Sequence, residues 1–279
     1  MTGAPAAQTA ALFDRAAAGY DEEFEQRGLT GDLRKVVQAT LFAHFPPGAH
    51  VLELNCGTGT DAIALAERGV RVTCLDASPE MVARAAEKVG LRSLGHLITT
   101  RVLDNERIDS LGSSEFDGAF SNFGGLNCSP RPAEVAAKLG RVVRPGAVFV
   151  ACLLNRTCLW ETAAFLARGK FGKAFRRLRS GGSGATVGGS PLHVWYHSPG
   201  GMKGILKPWF EVIELYGLSI LSPPPNSLNF ISSHPELTGR LLRLDRKIRG
   251  TVPFRSLGDH FVAVARRTAR PVPECPVPE

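Results

Sequence analysis

Two hydrophobic rhythms alternate along this chain. Short apolar runs at 51–55, 70–75 and 147–153, with another near 97–103, have the length and composition of strands buried on both faces of a sheet. The segments 60–68, 79–89 and 131–143 between them repeat apolar residues at helical spacing. Strand and helix in alternation imply an α/β fold. Segment 116–128 reads as a fourth strand with its exit loop, 208–221 as a sixth strand, and 260–267 as a seventh. Ahead of the sheet the pattern predicts two helices. One runs from Thr9 with Leu12, Phe13, Ala16 and Tyr20 on one side, and the second spans 32–45 with Leu33, Val36, Val37 and Leu41 inward. Residues 1–8 carry no such signal and are expected to be unstructured. Pro46-Pro47-Gly48 stops the second helix, and Ser78-Pro79 supplies the cap and first position of a later one.

The stretch VLELNCGTGTDAIALAERG, 51–69, is a strand, a glycine-rich turn and a helix. Gly57 and Gly59 permit positive φ, and their missing Cβ atoms let a ligand approach the backbone. Asp76 ends the next strand, where a carboxylate accepts hydrogen bonds from a ribose diol. These features imply a nucleoside-containing cofactor. Residues 57–62 also satisfy the loose GxGxxA form of a dinucleotide fingerprint, so that cofactor class competes. Three details favour S-adenosylmethionine (SAM). Glu53 puts a charge inside the first strand, where a dinucleotide site needs none. LDASPEM, 75–81, and Arg144-Pro145-Gly146 resemble the second-strand motif and fifth-strand entry of class I SAM-dependent methyltransferases of the bacterial small-molecule type.

The resemblance covers residues 10–155 well and the remainder loosely. It implies a Rossmann-like sheet of seven strands with the last antiparallel, a helical N-terminal cap and an insertion after the fifth strand. It implies SAM as cofactor and S-adenosylhomocysteine as product. The cofactor contacts it implies come from Tyr20, Glu53, Asn55, Gly57, Thr58, Gly59, Asp76, Ala77 and Met81, from Asp104 and Asn105 near the adenine, and from Asn122. The corresponding division is a cap at 1–48, a SAM-binding core at 49–155, an inserted lid at 156–205, the rest of the sheet at 206–267 and a tail of disordered composition at 268–279.

SAM carries an activated methyl group, so positioning supplies much of the catalysis, and a base is needed only for an acceptor that must lose a proton. The patch 191–202 offers His193, Tyr196 and His197 as candidates, although its alternation also fits an ordinary strand. Phe123, Asn127 and Trp195 are candidate acceptor contacts, with Asn127 a possible orienting group. The leading reading is methyl transfer to a small-molecule hydroxyl. The alternatives are an RNA or anionic-lipid methyltransferase, or a SAM-binding scaffold without turnover.

Charge bears on those alternatives. Residues 1–150 hold 15 Lys+Arg against 18 Asp+Glu, and residues 151–279 hold 18 against 8. Six cations and no acid lie between 168 and 179, a composition suited to a membrane surface, an acidic group or a solvated lid. The loop after Ser121 lacks the (Asn/Asp)-Pro-Pro-aromatic motif of enzymes that methylate exocyclic base amines, which disfavours nucleic acid. Glycines at 181, 182, 184, 188 and 189 predict a mobile loop. The six cysteines show no CxxC pair or zinc spacing, and no metal site is visible. That usage and the absence of a signal-peptide pattern lead to the expectation of a soluble, cytoplasmic protein.

Overall fold

The computed structural model describes residues 4–25, 28–112, 116–179 and 181–272. A cap of α1 (Ala4–Ala16), a short irregular helix to Glu25 and α2 (Thr30–His44) precedes the sheet. The core then alternates β1 (His50–Leu54), α3 (Thr60–Ala66), β2 (Arg71–Asp76), α4 (Pro79–Leu91), β3 (Ile98–Val102), β4 (Phe116–Ser121), α5 (Pro132–Val142) and β5 (Val143–Leu154). The inserted segment carries α6 (Leu159–Leu166), α7 (Phe171–Ala174) and a hairpin of β6 (Ser183–Val187) and β7 (Ser190–Val194). The sheet is completed after α8 (Pro199–Leu206) by β8 (Phe210–Leu218) and β9 (His260–Arg267), with α9 (Leu228–Ser233) and α10 (Pro235–Ile248) between them.

The seven-stranded sheet has the order β3-β2-β1-β4-β5-β9-β8. β3, β2, β1, β4 and β5 pair in parallel, and β9 runs antiparallel to both β5 and β8. This is the class I methyltransferase arrangement, with the last strand reversed.

Strand alternation divides the interior into two cores. Val150 and Cys152 of β5 and Val262 and Val264 of β9 face α2 and α3, meeting Leu33, Val37, Leu41 and Leu65. Phe149, Ala151 and Leu153, with Phe261, Ala263 and Ala265, face α5 and α8. Both faces are dry because helices cover both, which explains strands that read as near-continuous apolar runs. A third, smaller cluster joins Leu12, Phe13 and Ala16 of α1 to Val187, Leu192 and Val194 of the hairpin.

Several expectations need correction. The first helix begins at Ala4, not Thr9. The glycine-rich stretch is a paired hairpin with register Ser183↔Val194 to Val187↔Ser190, because alternate apolar residues close onto α1. Met202 and Leu206 of α8, at the end of the segment expected as an insertion, enter the second core. Within the basic stretch α7 has 4 residues, and Arg176 and Arg177 turn inward onto Glu161, so these two cations do not face water as a solvated lid would have them. Residues 268–272 of the expected disordered tail are described, and Thr268 donates its backbone N–H to Trp209 O at 2.9 Å; the remainder, 273–279, lies outside the described residues. No helix among the described residues is long and apolar enough to cross a membrane.

Candidate active site

A cavity of about 470 Å³ opens at the C-terminal edge of β1, β2, β4 and β5, where ligands of open α/β sheets bind. The hairpin and α1 form its roof. Its floor is the turn after β1. Asp76 organises that turn by accepting from Gly57 N and Ser78 N, each at 2.9 Å. The Ala77 backbone also bonds the carboxylate, which still leaves it lone-pair capacity for a further donor. Gly59 caps α3 at φ +77°, and a Cβ there would come within 3.1 Å of Ala85 Cβ, so glycine lets α4 pack close to the turn.

Of the predicted cofactor residues, Glu53, Asn55, Gly57, Thr58, Asp76, Ala77 and Met81 line this cavity, as do Tyr20 and Asn122. Gly59, Asp104 and Asn105 do not. Asp104 caps a short helical turn by accepting from Glu106 N at 2.7 Å. Asn105 is buried and donates to Asn55 Oδ1 at 2.7 Å, so it braces a lining residue. Asn55 and Phe123 hold left-handed φ angles of 56° and 43°, a strained conformation that tends to accumulate at functional sites.

Glu53 is buried, and among the described residues its hydrogen-bond donor is the Cys74 thiol at 3.4 Å. Burial pushes its carboxyl well above the usual range, and the nearby Asp61 adds to the effect. A buried acid in a cavity wall, held by one weak donor, suits a cationic ligand. The ammonium and sulfonium of SAM fit that requirement, and the free lone pairs of Asp76 fit its ribose.

Sequence reasoning missed Asp61. It is buried, accepts from Gln38 Nε2 at 2.9 Å and Asn122 Nδ2 at 2.8 Å, and pairs with Arg34. It thereby ties α2 to the loop after β4. Arg34 in turn lies 4.9 Å over the Phe123 ring. The cap is clasped by two further aspartates. Asp14 accepts from Ser78 Oγ and from Glu80 N at 3.2 Å, while Asp21 accepts from Thr58 Oγ1 and pairs with Lys88 at 2.7 Å. Both anchor points lie in the turns that surround Asp76.

The far side of the cavity differs from the expected acceptor site. Phe123 and Tyr196 line it. His193 is exposed on the outside of the hairpin and contacts Gly181 O at 2.7 Å. His197 lies off the lining, with Nε2 buried and unpartnered, and burial lowers its pKa, which keeps it neutral. Asn127 is fully buried; its amide donates to Leu154 O and Trp195 O, and its carbonyl accepts from Leu154 N. It staples β5 to the chain after β7 and lies off the cavity lining. Trp195, off the lining, gives its backbone to that staple and its ring to His193.

In place of those residues the structure brings up Arg176, Arg177, Asp259 and His260. Arg177 is buried, donates to Glu161 Oε2 and Asp259 Oδ1 at 2.6 Å each, and lies 4.9 Å over the Tyr196 ring. Burial alone would push the Asp259 carboxyl up, but Arg177 and His260 hold it well below the usual carboxylate range. The Cys128 thiol also lines the cavity, and burial pushes it up to about 12, so it supplies no thiolate nucleophile.

Known proteins resemble part of the chain. A family model described as "Methyltransferase domain" matches residues 51–146. Over 154 residues the chain is 34% identical to the malonyl-[acyl-carrier protein] O-methyltransferase of Serratia marcescens, an alignment spanning 54% of each protein. Over 114 residues it is 32% identical to an S-adenosyl-L-methionine-dependent Diels-Alderase of Talaromyces variabilis, spanning 40% of this chain and 38% of that protein. The chain thus spans about half or less of the length of these curated relatives. The CcbJ methyltransferase from Streptomyces caelestis has the same fold, with a TM-score of 0.56 at 20% identity over 83% of this chain and 89% of that one.

Proposed function

We propose that this chain is a class I SAM-dependent methyltransferase that transfers the methyl group of SAM to a hydroxyl oxygen of a small-molecule acceptor. The observation that carries the reading is one continuous cavity whose floor has Glu53 and Asp76 and whose far wall has aromatic and ionisable side chains. SAM, when bound, supplies a methyl group on a positively charged sulfur. Asp76 would hold the ribose, Glu53 the cationic end, and Ala77 and Met81 the adenine. Phe123 and Tyr196 would orient the acceptor, and the roof would exclude water. Alignment of this kind supplies several kcal/mol of catalysis. The similarity to the O-methyltransferase of Serratia marcescens supports oxygen as the methylated atom.

Two measurements test the reading. Calorimetric titration is expected to show binding of SAM and S-adenosylhomocysteine and none of NAD or NADP. Label from methyl-¹⁴C SAM is then expected in organic-extractable product when a panel of hydroxylated small molecules is supplied. Binding of NAD but not SAM would overturn the cofactor assignment. SAM binding with no label transfer would favour the scaffold or a non-methylating role, the reading to which the Diels-Alderase relative points.

A further inference from the structure

We propose that His260, held by Asp259 and Arg177, is the general base that removes the proton from a neutral hydroxyl acceptor. The inference rests on the methyl-transfer reading and adds the proton acceptor and the charge class of the substrate. His260 opens β9 at the same sheet edge as the glycine turn, is buried, and lines the cavity. Its Nδ1 lies 2.9 Å from Asp259 Oδ2. The two atoms are at ion-pair distance but outside hydrogen-bond geometry, so a small turn of the ring is needed for Nδ1–H to donate to the carboxylate; a proton held there leaves the lone pair on Nε2, the other ring nitrogen. Phe123 meets the imidazole edge-on at a centroid distance of 5.6 Å, which sets the plane of the ring next to the loop after β4.

Arg177 makes the arrangement durable. It bonds Asp259 Oδ1 at 2.6 Å and the Asp259 carbonyl at 3.2 Å, keeping the carboxylate ionised while its other oxygen faces the histidine. The guanidinium groups on this wall are already committed. Arg177 serves Glu161 and Asp259, and Arg176 serves Glu161 and Gly184 O. Among the described residues of this wall an anionic acceptor would find both guanidinium groups already paired, whereas a neutral hydroxyl would find a base. The apolar and aromatic surfaces of Phe123, Tyr196, Leu192 and Val194 favour a phenol, whose acidity a histidine base can match in the transition state. As the hydroxyl oxygen takes the methyl group, its proton passes to Nε2 and the bonding pair of the broken S–CH₃ bond stays on sulfur. The imidazolium is balanced by Asp259 and later releases its proton to solvent.

The probe is 4-nitrocatechol, whose phenolate absorbs visible light, added to protein saturated with S-adenosylhomocysteine at a pH where the free probe is mostly protonated. Calorimetric binding of S-adenosylhomocysteine is measured first, so failure of the cofactor reading is seen separately. Wild type is expected to shift the probe at least roughly tenfold toward phenolate. His260→Gln should keep its affinity for S-adenosylhomocysteine and lose that shift, and Asp259→Asn should weaken it. If His260→Gln does not fold, ¹⁵N imidazole spectra of wild type decide: Nε2 should be unprotonated in the free protein and gain a proton when the probe binds. An unchanged phenolate shift in folded His260→Gln, a probe that stays protonated in wild type, or no saturable binding of the probe would each overturn the proposal.

Discussion

Glu53 shows how one side chain exchanges stability for binding. Burial raises its carboxyl well above the usual range, so it resists ionisation when folded, whereas the unfolded chain ionises near pH 4.3. A raised carboxyl pKa opposes folding as pH climbs through that interval. Glu53→Gln should therefore have a higher Tm than wild type at pH 7, and the difference should shrink as pH falls toward 4. The same variant should bind SAM at least roughly tenfold more weakly, about 1.4 kcal/mol. A cationic ligand beside Glu53 favours its ionised form, so SAM binding should release a proton. Titration in buffers of unlike ionisation heat would reveal it, and Glu53→Gln should abolish it. Asp76→Ala removes two backbone contacts along with the proposed ribose acceptor. Leaving those N–H groups unpaired costs about 1–3 kcal/mol, so a loss of Tm should accompany an affinity loss of tenfold or more.

At the scale of elements, α2 packs an apolar face on the sheet, whereas α1 and the irregular helix after it are tied to the turns of the sheet by polar side chains. Asp14 grips the start of α4, and Asp21 grips Thr58 and Lys88. Asp21→Asn combined with Asp14→Asn should speed amide exchange across 7–23 and weaken SAM binding several-fold, while the core strands keep their protection. Partial exposure of the Asp21–Lys88 pair limits its share to well under 1 kcal/mol. The elements that sequence revealed were those with local signatures. β1, its glycine turn and Asp76 lie within 27 residues of one another and carry their chemistry in order. The hairpin was hidden because Gly and Ser dominate it, and only Val187, Leu192 and Val194 mark its inner face. Asp259 and His260 were hidden for a different reason. Their partner Arg177 is 82 residues away, so nothing local marks them except two polar residues opening an otherwise apolar strand.

For the molecule as a whole, the two-sided sheet was legible because both of its faces are covered, and the far wall of the cavity was not because an inserted segment folds back to make it. That wall also sets the response to acid. Asp259 and Glu161 are both held below the usual carboxylate range despite burial, which opposes it. A depressed pKa gives stability that is complete above the unfolded value, about 4, and disappears as pH falls through the folded one. Denaturant midpoints should fall steeply below pH 4, and Arg177→Gln should flatten that dependence while lowering stability at pH 7 by about 3–5 kcal/mol, the cost of stranding buried charge.

The roof has a consequence for the order of events. Leu12, Phe13 and Ala16 of the cap rest against Val187, Leu192 and Val194 of the hairpin, and the cap stands on the turns around Asp76. A nucleoside lying on those turns is beneath the cap, and an acceptor beside Tyr196 closes the remaining side. On the proposed methyl-transfer reading, this arrangement predicts sequential traffic, with the donor entering first, the acceptor second and the spent nucleoside leaving last. Initial-rate kinetics should show S-adenosylhomocysteine competing with SAM and acting noncompetitively toward the acceptor, and a random-order pattern would mean that the roof opens as two independent doors.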